Sequence, residues 1–207
     1  MKVLAIHGSP LPNGNTTNIL HEVQDQFERD GIEMEIVPVY DYTLTNCNVC
    51  MTCEIRGDGR CYDEEDGFNS ILDRMRAADA VLIASPTYMN AAPSQLQNFL
   101  ERAHLVLKNC GSPLTGKIGG VIAISQHDGG SLLYNQLVDF LLRNGMMVCG
   151  SSPLSIVHAW YSPDYENDGI GMKGVRSLVA NMTDALVRTA PREEQAREAE
   201  YPGLHLR

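Results

Sequence analysis

Val3-Leu4-Ala5-Ile6-His7-Gly8-Ser9-Pro10-Leu11-Pro12-Asn13-Gly14-Asn15-Thr16-Thr17 opens on a short apolar run and turns through Gly and Pro into small hydroxyl and amide side chains. Val3 to Ile6 read as a first strand. Beyond the turn, Ile19, Leu20, Val23 and Phe27 fall on one face of a helix, with Thr16 or Thr17 as its expected cap and Gly31 as its stop. A polar loop that joins a strand directly to a helix aims backbone N–H groups at an anion, and the helix dipole adds to the attraction. Ser9, Asn15, Thr16 and Thr17 supply donors without bulk. The spacing is not G-x-G-x-x-G and the Lys of a Walker A loop is missing. The loop therefore reads as a neutral cradle for a monophosphate ester; the plainer alternative is a capped turn that binds nothing.

The same rhythm continues along the chain. Met34 to Val39 form a second strand, and Pro38 places it near the sheet edge. Phe68, Ile71, Leu72 and Met75 mark a helix, followed by a strand from Ala80 to Ala84 that ends at Ser85-Pro86-Thr87-Tyr88. Pro93 suits the first turn of a helix carrying Leu96, Phe99, Ala103 and Leu107. Ile118 to Ile124 form a fourth strand, ending in Ser125-Gln126-His127-Asp128-Gly129-Gly130. Leu132 to Leu142 are helical, Met146 to Cys149 start a fifth strand, and Val175 to Val187 form a last helix. Such alternation predicts an α/β fold: parallel strands with right-handed crossovers and helices on both faces. Ligands of such sheets bind beyond the carboxyl ends of the strands, so the loops after strands one, three and four are expected to build one pocket. One domain is expected over 1–190, with a Cys-rich insert at 41–65 and a C-terminal arm at 191–207.

A net charge of −10 argues against nucleic acid, which is gripped by clustered Lys and Arg, and against an anionic membrane surface. No apolar run reaches the ~18 residues of a membrane span. Met1-Lys2-Val3-Leu4-Ala5-Ile6 reads as a buried strand and not as an export signal, so a cytoplasmic location is expected. Six cysteines in a reducing compartment are free thiols, metal ligands or redox groups sooner than structural disulfides. There is no Ser–His–Asp, paired-carboxylate or H-E-x-x-H arrangement.

Cys47-x2-Cys50-x2-Cys53-x7-Cys61 is the most unusual feature. Three thiols at this spacing can wrap a compact inorganic core, and a fourth beyond Gly57-Asp58-Gly59 can close it. A [4Fe–4S] cluster needs four thiolates, and the first three match bacterial ferredoxin runs, although Cys61 lies further on and is followed by Tyr62. Zinc would accept the same ligands but more often uses two separated C-x-x-C pairs. Redox thiols, or four uncomplexed ones, complete the alternatives. Cys110 and Cys149 lie outside the motif and read as small apolar residues.

Gly8-Ser9-Pro10 with Gly14-Asn15-Thr16 resembles the phosphate loop of the NAD(P)H-dependent FMN reductase family. Ser85-Pro86-Thr87-Tyr88-Met89, with Leu96 and Phe99-Leu100-Glu101-Arg102, is similar to its second flavin loop, and Ser125 to Gly130 to its third. The resemblance implies a flavodoxin-like doubly wound five-stranded sheet in the order 2-1-3-4-5, with FMN as cofactor and NAD(P)H as co-substrate. Ser9, Pro10, Asn15, Thr16 and Thr17 would surround the phosphate. Pro86, Thr87, Tyr88 and Met89 would line the isoalloxazine ring, with Ser125, His127, Gly129 and Gly130 near its other side. Without the family, Tyr88 reads equally as a half-buried sheet aromatic and His127 as a solvated loop residue. Leu11 stands where relatives often carry a basic residue, so neutral donors would hold the phosphate.

The cysteine motif after the second strand resembles the iron–sulfur flavoprotein subgroup, with Cys47, Cys50, Cys53 and Cys61 at the matching positions. The resemblance implies an FMN-dependent oxidoreductase of the flavin/quinone-reductase or iron–sulfur flavoprotein type. It would pass electrons to a small-molecule acceptor or a redox protein, as a homodimer or homotetramer with flavin sites near the contacts. The alternatives are a non-enzymatic electron carrier, a dehydrogenase of a small aromatic precursor, and a zinc-stabilised interaction module. Ala159 to Tyr165 could cover the flavin as a lid or pack a subunit interface.

Overall fold

The computed structural model describes residues 1–63 and 65–190; the expected arm at 191–207 lies outside the described residues. Among the described residues six strands run in chain order: β1 (Lys2–His7), β2 (Glu33–Pro38), β3 (Ala80–Pro86), β4 (Ile118–Ser125), β5 (Met147–Val148) and β6 (Ile156–His158). The helices are α1 (Asn15–Arg29), α2 (Thr52–Arg56), α3 (Phe68–Ala77), α4 (Ser94–Lys108), α5 (Gly130–Arg143) and α6 (Gly169–Thr189). The sheet is ordered β2-β1-β3-β4-β5, and every pairing is parallel. This is the doubly wound α/β order expected. Edge strand β2 ends at Pro38, whose missing N–H costs no ladder bond at that position.

The fifth position differs from expectation. One continuous strand is replaced by two short ones, β5 against the start of β4 (Ile118↔Met147) and β6 against its end (Ala123↔Ile156). The intervening Cys149-Gly150-Ser151-Ser152-Pro153-Leu154-Ser155 leaves the ladder, because Gly and Pro weaken a strand interior. The return at β6 matters for the site, since it adds a fourth strand end to the mouth of the sheet.

β1, β3 and β4 read as near-continuous apolar runs because both faces are covered. On one face Leu4, Ile6, Val81, Ile83 and Val121 meet Phe68, Ile71, Leu96, Phe99 and Leu137 from α3, α4 and α5. On the other, Val3, Ala5, Leu82 and Ile122 meet Ile19, Val23 and Phe27 of α1 and Val175, Leu178 and Met182 of α6. The insert packs on the α3–α4 side, where Tyr42, Cys53 and Cys61 join the first cluster.

Neither Thr16 nor Thr17 caps α1. The helix starts at Asn15 after an extended Gly14, with no side-chain cap, because the Thr17 hydroxyl is used elsewhere: it donates to Leu11 O (3.2 Å) and meets His7 Nε2 (3.0 Å). Gly31, at φ 73°, follows the last turn as expected.

Candidate functional site

A cleft of about 490 Å3 opens at the carboxyl ends of β1, β3, β4 and β6, within the ~300–1,000 Å3 range of small-molecule sites. Its floor is the loop 8–14. Gly8 N donates to Ala84 O (2.8 Å), drawing the loop so close to β3 that a Cβ at Gly8 would lie 2.5 Å from Leu96 Cδ2 and 2.8 Å from Ser85 Oγ. Ser9 and Thr16 are buried in its wall, and Ser9 Oγ accepts from Leu11 N (3.2 Å), which leaves its own proton to donate. With no side-chain cap on α1, the N–H groups of Asn15, Thr16 and Thr17 have no intrahelical partner and face the end where the cleft lies. Thr87 lines the opposite side, with its N–H on Ile124 O (2.8 Å) and its buried Oγ1 without a partner among the described residues. A buried hydroxyl left unpaired costs about 1–3 kcal/mol, which a ligand acceptor would offset.

Not every expected residue presents its side chain here. Asn15 spends its amide on the segment after β6: Nδ2 donates to Trp160 O and Oδ1 accepts from Tyr165 N, both at 3.4 Å. Asn18 Nδ2 on Ser162 Oγ (2.9 Å) and Tyr165 OH on Glu22 Oε1 (2.8 Å) continue the same tie along α1. Burial and Glu22 push the Tyr165 phenol up to about 12. Residues 159–165 thus form a strap fastened to one face of α1, with Trp160 and Tyr161 stacked at 5.6 Å over the rim of the cleft. Pro10 does not line the cleft, and Thr17 turns its hydroxyl to Leu11 and His7.

Tyr88 lines the cleft and begins a two-residue hairpin: Tyr88 and Ala91 exchange both backbone hydrogen bonds, while Met89 (φ 50°) and Asn90 (φ 63°) take left-handed backbone. Met89 at the tip is 97% exposed and points away from the enclosed volume. Burial and the neighbouring Tyr40 push the Tyr88 phenol up. Ser125 is in the cleft wall and its Oγ meets His158 Nδ1 (3.2 Å). His127, Gly129 and Gly130 line an adjoining depression of about 250 Å3 with His158. His127 touches the main cleft through Trp160, edge to face at 5.4 Å.

The four motif cysteines come together. Cys47, Cys50, Cys53 and Cys61 line one cavity of about 200 Å3, closed by Arg102, Val106 and Asn109 of the α4 segment. Val49 (φ 54°), Met51 (φ 59°), Gly57 (φ 61°) and Gly59 (φ 75°) wind the loop around it. Thr52 holds the Cys50 thiol low through its hydroxyl and N–H. Asn109 Nδ2 lies 3.6 Å from Cys53 Sγ, and Arg102 Nη2 lies 3.2 Å from Cys61 Sγ. Among the described residues no three His, Cys, Asp or Glu side chains group as a single metal ion would require. The thiols ring a void instead of one point.

Two arrangements are not legible in the sequence: the burial of Arg102 and the tie of residues 159–165 to α1. Arg102 sits in a helix that otherwise reads as amphipathic, yet its side chain is 1% exposed and pairs with buried Asp66. Its place between Phe99 and Val106 on the face that bears the insert was the available signal. The segment Ala159 to Tyr165 was legible as a candidate lid or interface and does line the cleft, but its fastening to α1 was not, because a polar helix start that binds a loop looks the same as one that binds an anion.

A family model described as NADPH-dependent FMN reductase matches residues 1–161. The chain is similar to an iron-sulfur flavoprotein of Methanocaldococcus jannaschii, 31% identical over 185 residues that cover 86% of this chain and 93% of that protein. An iron-sulfur flavoprotein of Methanosarcina thermophila is 27% identical over 90% of this chain and 95% of its own. Among solved structures, RosB with bound 8-demethyl-8-formylriboflavin-5'-phosphate superposes with a TM-score of 0.72 at 21% identity, covering 100% of this chain and 90% of that one. An NAD(P)H:(acceptor) oxidoreductase from Paracoccus denitrificans gives 0.62 at 20%, covering 90% and 97%. No helix among the described residues is long and apolar enough to cross a membrane.

Proposed function

The chain belongs to the NADPH-dependent FMN reductase family, and on that premise we propose that it takes electrons from NAD(P)H and delivers them to a small-molecule or redox-protein acceptor, with FMN in the strand-end cleft and an iron–sulfur cluster in the cysteine-lined cavity. Bound FMN supplies two-electron acceptance with one- or two-electron release, and a cluster supplies one-electron steps. In this reading the N–H groups of Asn15, Thr16 and Thr17, with the hydroxyls of Ser9 and Thr16, hold the phosphate through neutral donors and the α1 dipole. Asn15 acts through its backbone on the phosphate and through its side chain on the strap. With FMN bound, Thr87 Oγ1 would be available to donate to an acceptor of the ring, Tyr88 and Trp160 would offer aromatic surface in the cleft, and the strap would limit water there. Cys47, Cys50, Cys53 and Cys61 supply four thiolates to the cluster.

The observation that carries the reading is the pairing of an uncapped helix start with an unpartnered buried hydroxyl across one cleft of suitable size. Both need a ligand that is anionic at one end and rich in acceptors at the other, which FMN is. What supports a cluster over a zinc ion is four thiols around a cavity, together with relatives named for iron and sulfur.

The test is anaerobic purification with an absorption spectrum, iron and acid-labile sulfide assays, and calorimetric titration with FMN. Expected are micromolar or tighter FMN uptake, a broad absorption that bleaches on reduction, and about four irons per chain. Absence of FMN uptake by folded protein refutes the reading of the cleft; a clean flavin spectrum without iron refutes the cluster. Steady-state NADH or NADPH oxidation with ferricyanide or a quinone then separates an enzyme from a carrier, which shows almost no turnover without a partner reductase.

A further inference from the structure

We propose that Arg102 is the positioning residue of the cysteine cavity: it pins both ends of the insert to α4 and gives the Cys61 sulfur a charge-assisted hydrogen bond that favours the reduced state of the site. The second half of this proposal rests on the reading that the four cysteines hold an iron–sulfur cluster; the first half does not.

A guanidinium taken out of water is tolerated only where its N–H groups find acceptors and its charge finds a counter-charge. Arg102 meets both conditions. Nη1 reaches Thr45 O (3.1 Å), Thr45 Oγ1 (3.3 Å) and the Asp66 carboxylate, while Nη2 reaches Cys61 Sγ (3.2 Å). Its Cζ lies 4.1 Å from the centre of the Phe68 ring. Thr45 and Asp66 are the two gateposts of the insert, and they are also tied to each other: Thr45 N donates to Asp66 Oδ2 (2.9 Å) across 21 residues of chain. Asp66 Oδ1 further accepts from Phe68 N (3.1 Å), which fixes the carboxylate to the start of α3. Burial alone would push the Asp66 carboxyl up, and Arg102 with the Thr45 and Phe68 N–H groups more than offsets it.

One cation therefore closes the loop that carries all four thiols and touches one sulfur directly. The planar fork is what lets a single side chain reach Thr45, Asp66 and Cys61 together; a lysine offers a point charge without that geometry. Charge and hydrogen bonds at ligand sulfurs are levers on cluster potential. Reduction adds one electron and no proton, so the site becomes more negative by one charge. A fixed cation at a sulfur stabilises that state, and a neighbouring carboxylate partly cancels the effect.

The test compares wild-type protein, reconstituted anaerobically, with R102M, R102K and D66N. Iron and sulfide per chain are assayed, and the midpoint potential is read by EPR during dithionite titration. R102M is expected to shift the oxidised-to-reduced ratio about tenfold toward oxidised at fixed solution potential, about 59 mV for a one-electron couple. R102K is expected to fall between R102M and wild type, and D66N to move in the opposite direction. An arginine that only staples the loop would lower iron content and leave the remaining clusters at the wild-type potential, which overturns the electrostatic half.

A second readout is independent of iron: limited trypsin cleavage after the exposed Arg56 in cluster-free protein. R102M is expected to be nicked at least tenfold faster, because both gateposts are released. Wild-type resistance in R102M, or in R102K where R102M does not fold, overturns the clamp. Failure of wild-type protein to take up iron sinks the cluster reading and the electrostatic half with it, and the trypsin result alone then decides the clamp.

Discussion

Asn15→Ala separates two jobs that one residue could do at the mouth of the sheet. The side chain holds the strap through two hydrogen bonds, and both are long at 3.4 Å, so each belongs at the weak end of about 0.5–1.5 kcal/mol. The substitution also leaves the N–H of buried Tyr165 unpaired, while Ala in the first turn regains a few tenths through helix propensity. The net loss is about 1 kcal/mol, or ~2–4 °C in Tm for a chain of this size. Asn18 and Glu22 still hold Ser162 and Tyr165, so the loosening concentrates on Trp160. Trp160 is the sole tryptophan, and its emission therefore reports the strap alone. Expected are lower Trp160 anisotropy and stronger acrylamide quenching in the FMN-free protein. Because the backbone N–H groups remain, FMN affinity should weaken by less than about threefold. Had the amide faced the phosphate, loss of a hydrogen bond to a charged group would cost about 1.5–3 kcal/mol, more than tenfold in Kd. A tenfold loss of affinity with Trp160 anisotropy and Tm unchanged would refute the strap assignment.

Gly8→Ala places a methyl 2.5 Å from Leu96 Cδ2, so overpacking is expected to cost about 1–3 kcal/mol in a thermal melt and to weaken FMN binding as the loop shifts. Thr87→Val should act with opposite signs in the two states: removal of an unpartnered buried hydroxyl raises the melting temperature of FMN-free protein, while FMN affinity measured by fluorescence quenching drops about five- to tenfold. His7 is held below its ordinary value of 6.5 by burial, with His21 adding to the shift and Asp41 opposing it. The unfolded chain therefore binds more protons than the folded one below that pH, and stability is lost as pH falls from 6.5 toward the folded value. His7→Asn should flatten the slope of unfolding free energy between pH 6.5 and 5; an unchanged slope would place the titrating group elsewhere.

The strands and helices were legible because each is long enough to show its period, and the parallel order followed once their alternation was accepted. The fifth strand was legible only at its start, where β5 falls within the expected Met146 to Cys149, and β6 was not legible. β5 and β6 hold two and three residues, too few for any alternation to register, and β4 alone recruits both to one edge. α2 is short too, at five residues, and its position depends on Gly57 and on left-handed Met51, a conformation that composition does not announce. At the site, residue types identified the loops but not the direction of each side chain. Ser9, Asn15, Thr16, Thr87 and Tyr88 line the cleft, but Asn15 spends its side-chain amide on the strap, and Thr17, which does not line it, turns its hydroxyl to Leu11 and His7. Arg102 was hidden for a different reason: what makes its burial affordable is Asp66, 36 residues earlier, and no local pattern links the two.

The cleft and the cysteine cavity are built on one helix. α4 starts directly after the 86–93 loop that walls the cleft, and a single stripe along it faces the insert: Gln95 donates to Tyr42 O (2.6 Å), Phe99 packs on Phe68 at 5.7 Å, Arg102 takes Thr45, Asp66 and Cys61, and Asn109 beyond its end reaches Cys53. The steps of four, three and seven residues keep these positions on one face of a 3.6-residue helix. Fifteen residues at 1.5 Å each make a rod of about 22 Å, and the insert is fastened near both of its ends. The separation between the two pockets is therefore set by a rigid element and not by the loops that line them. One residue inserted between Phe99 and Arg102 would turn the guanidinium by about 100° and release the cavity from the cleft, while lengthening the exposed Met89–Asn90 turn would leave both in place.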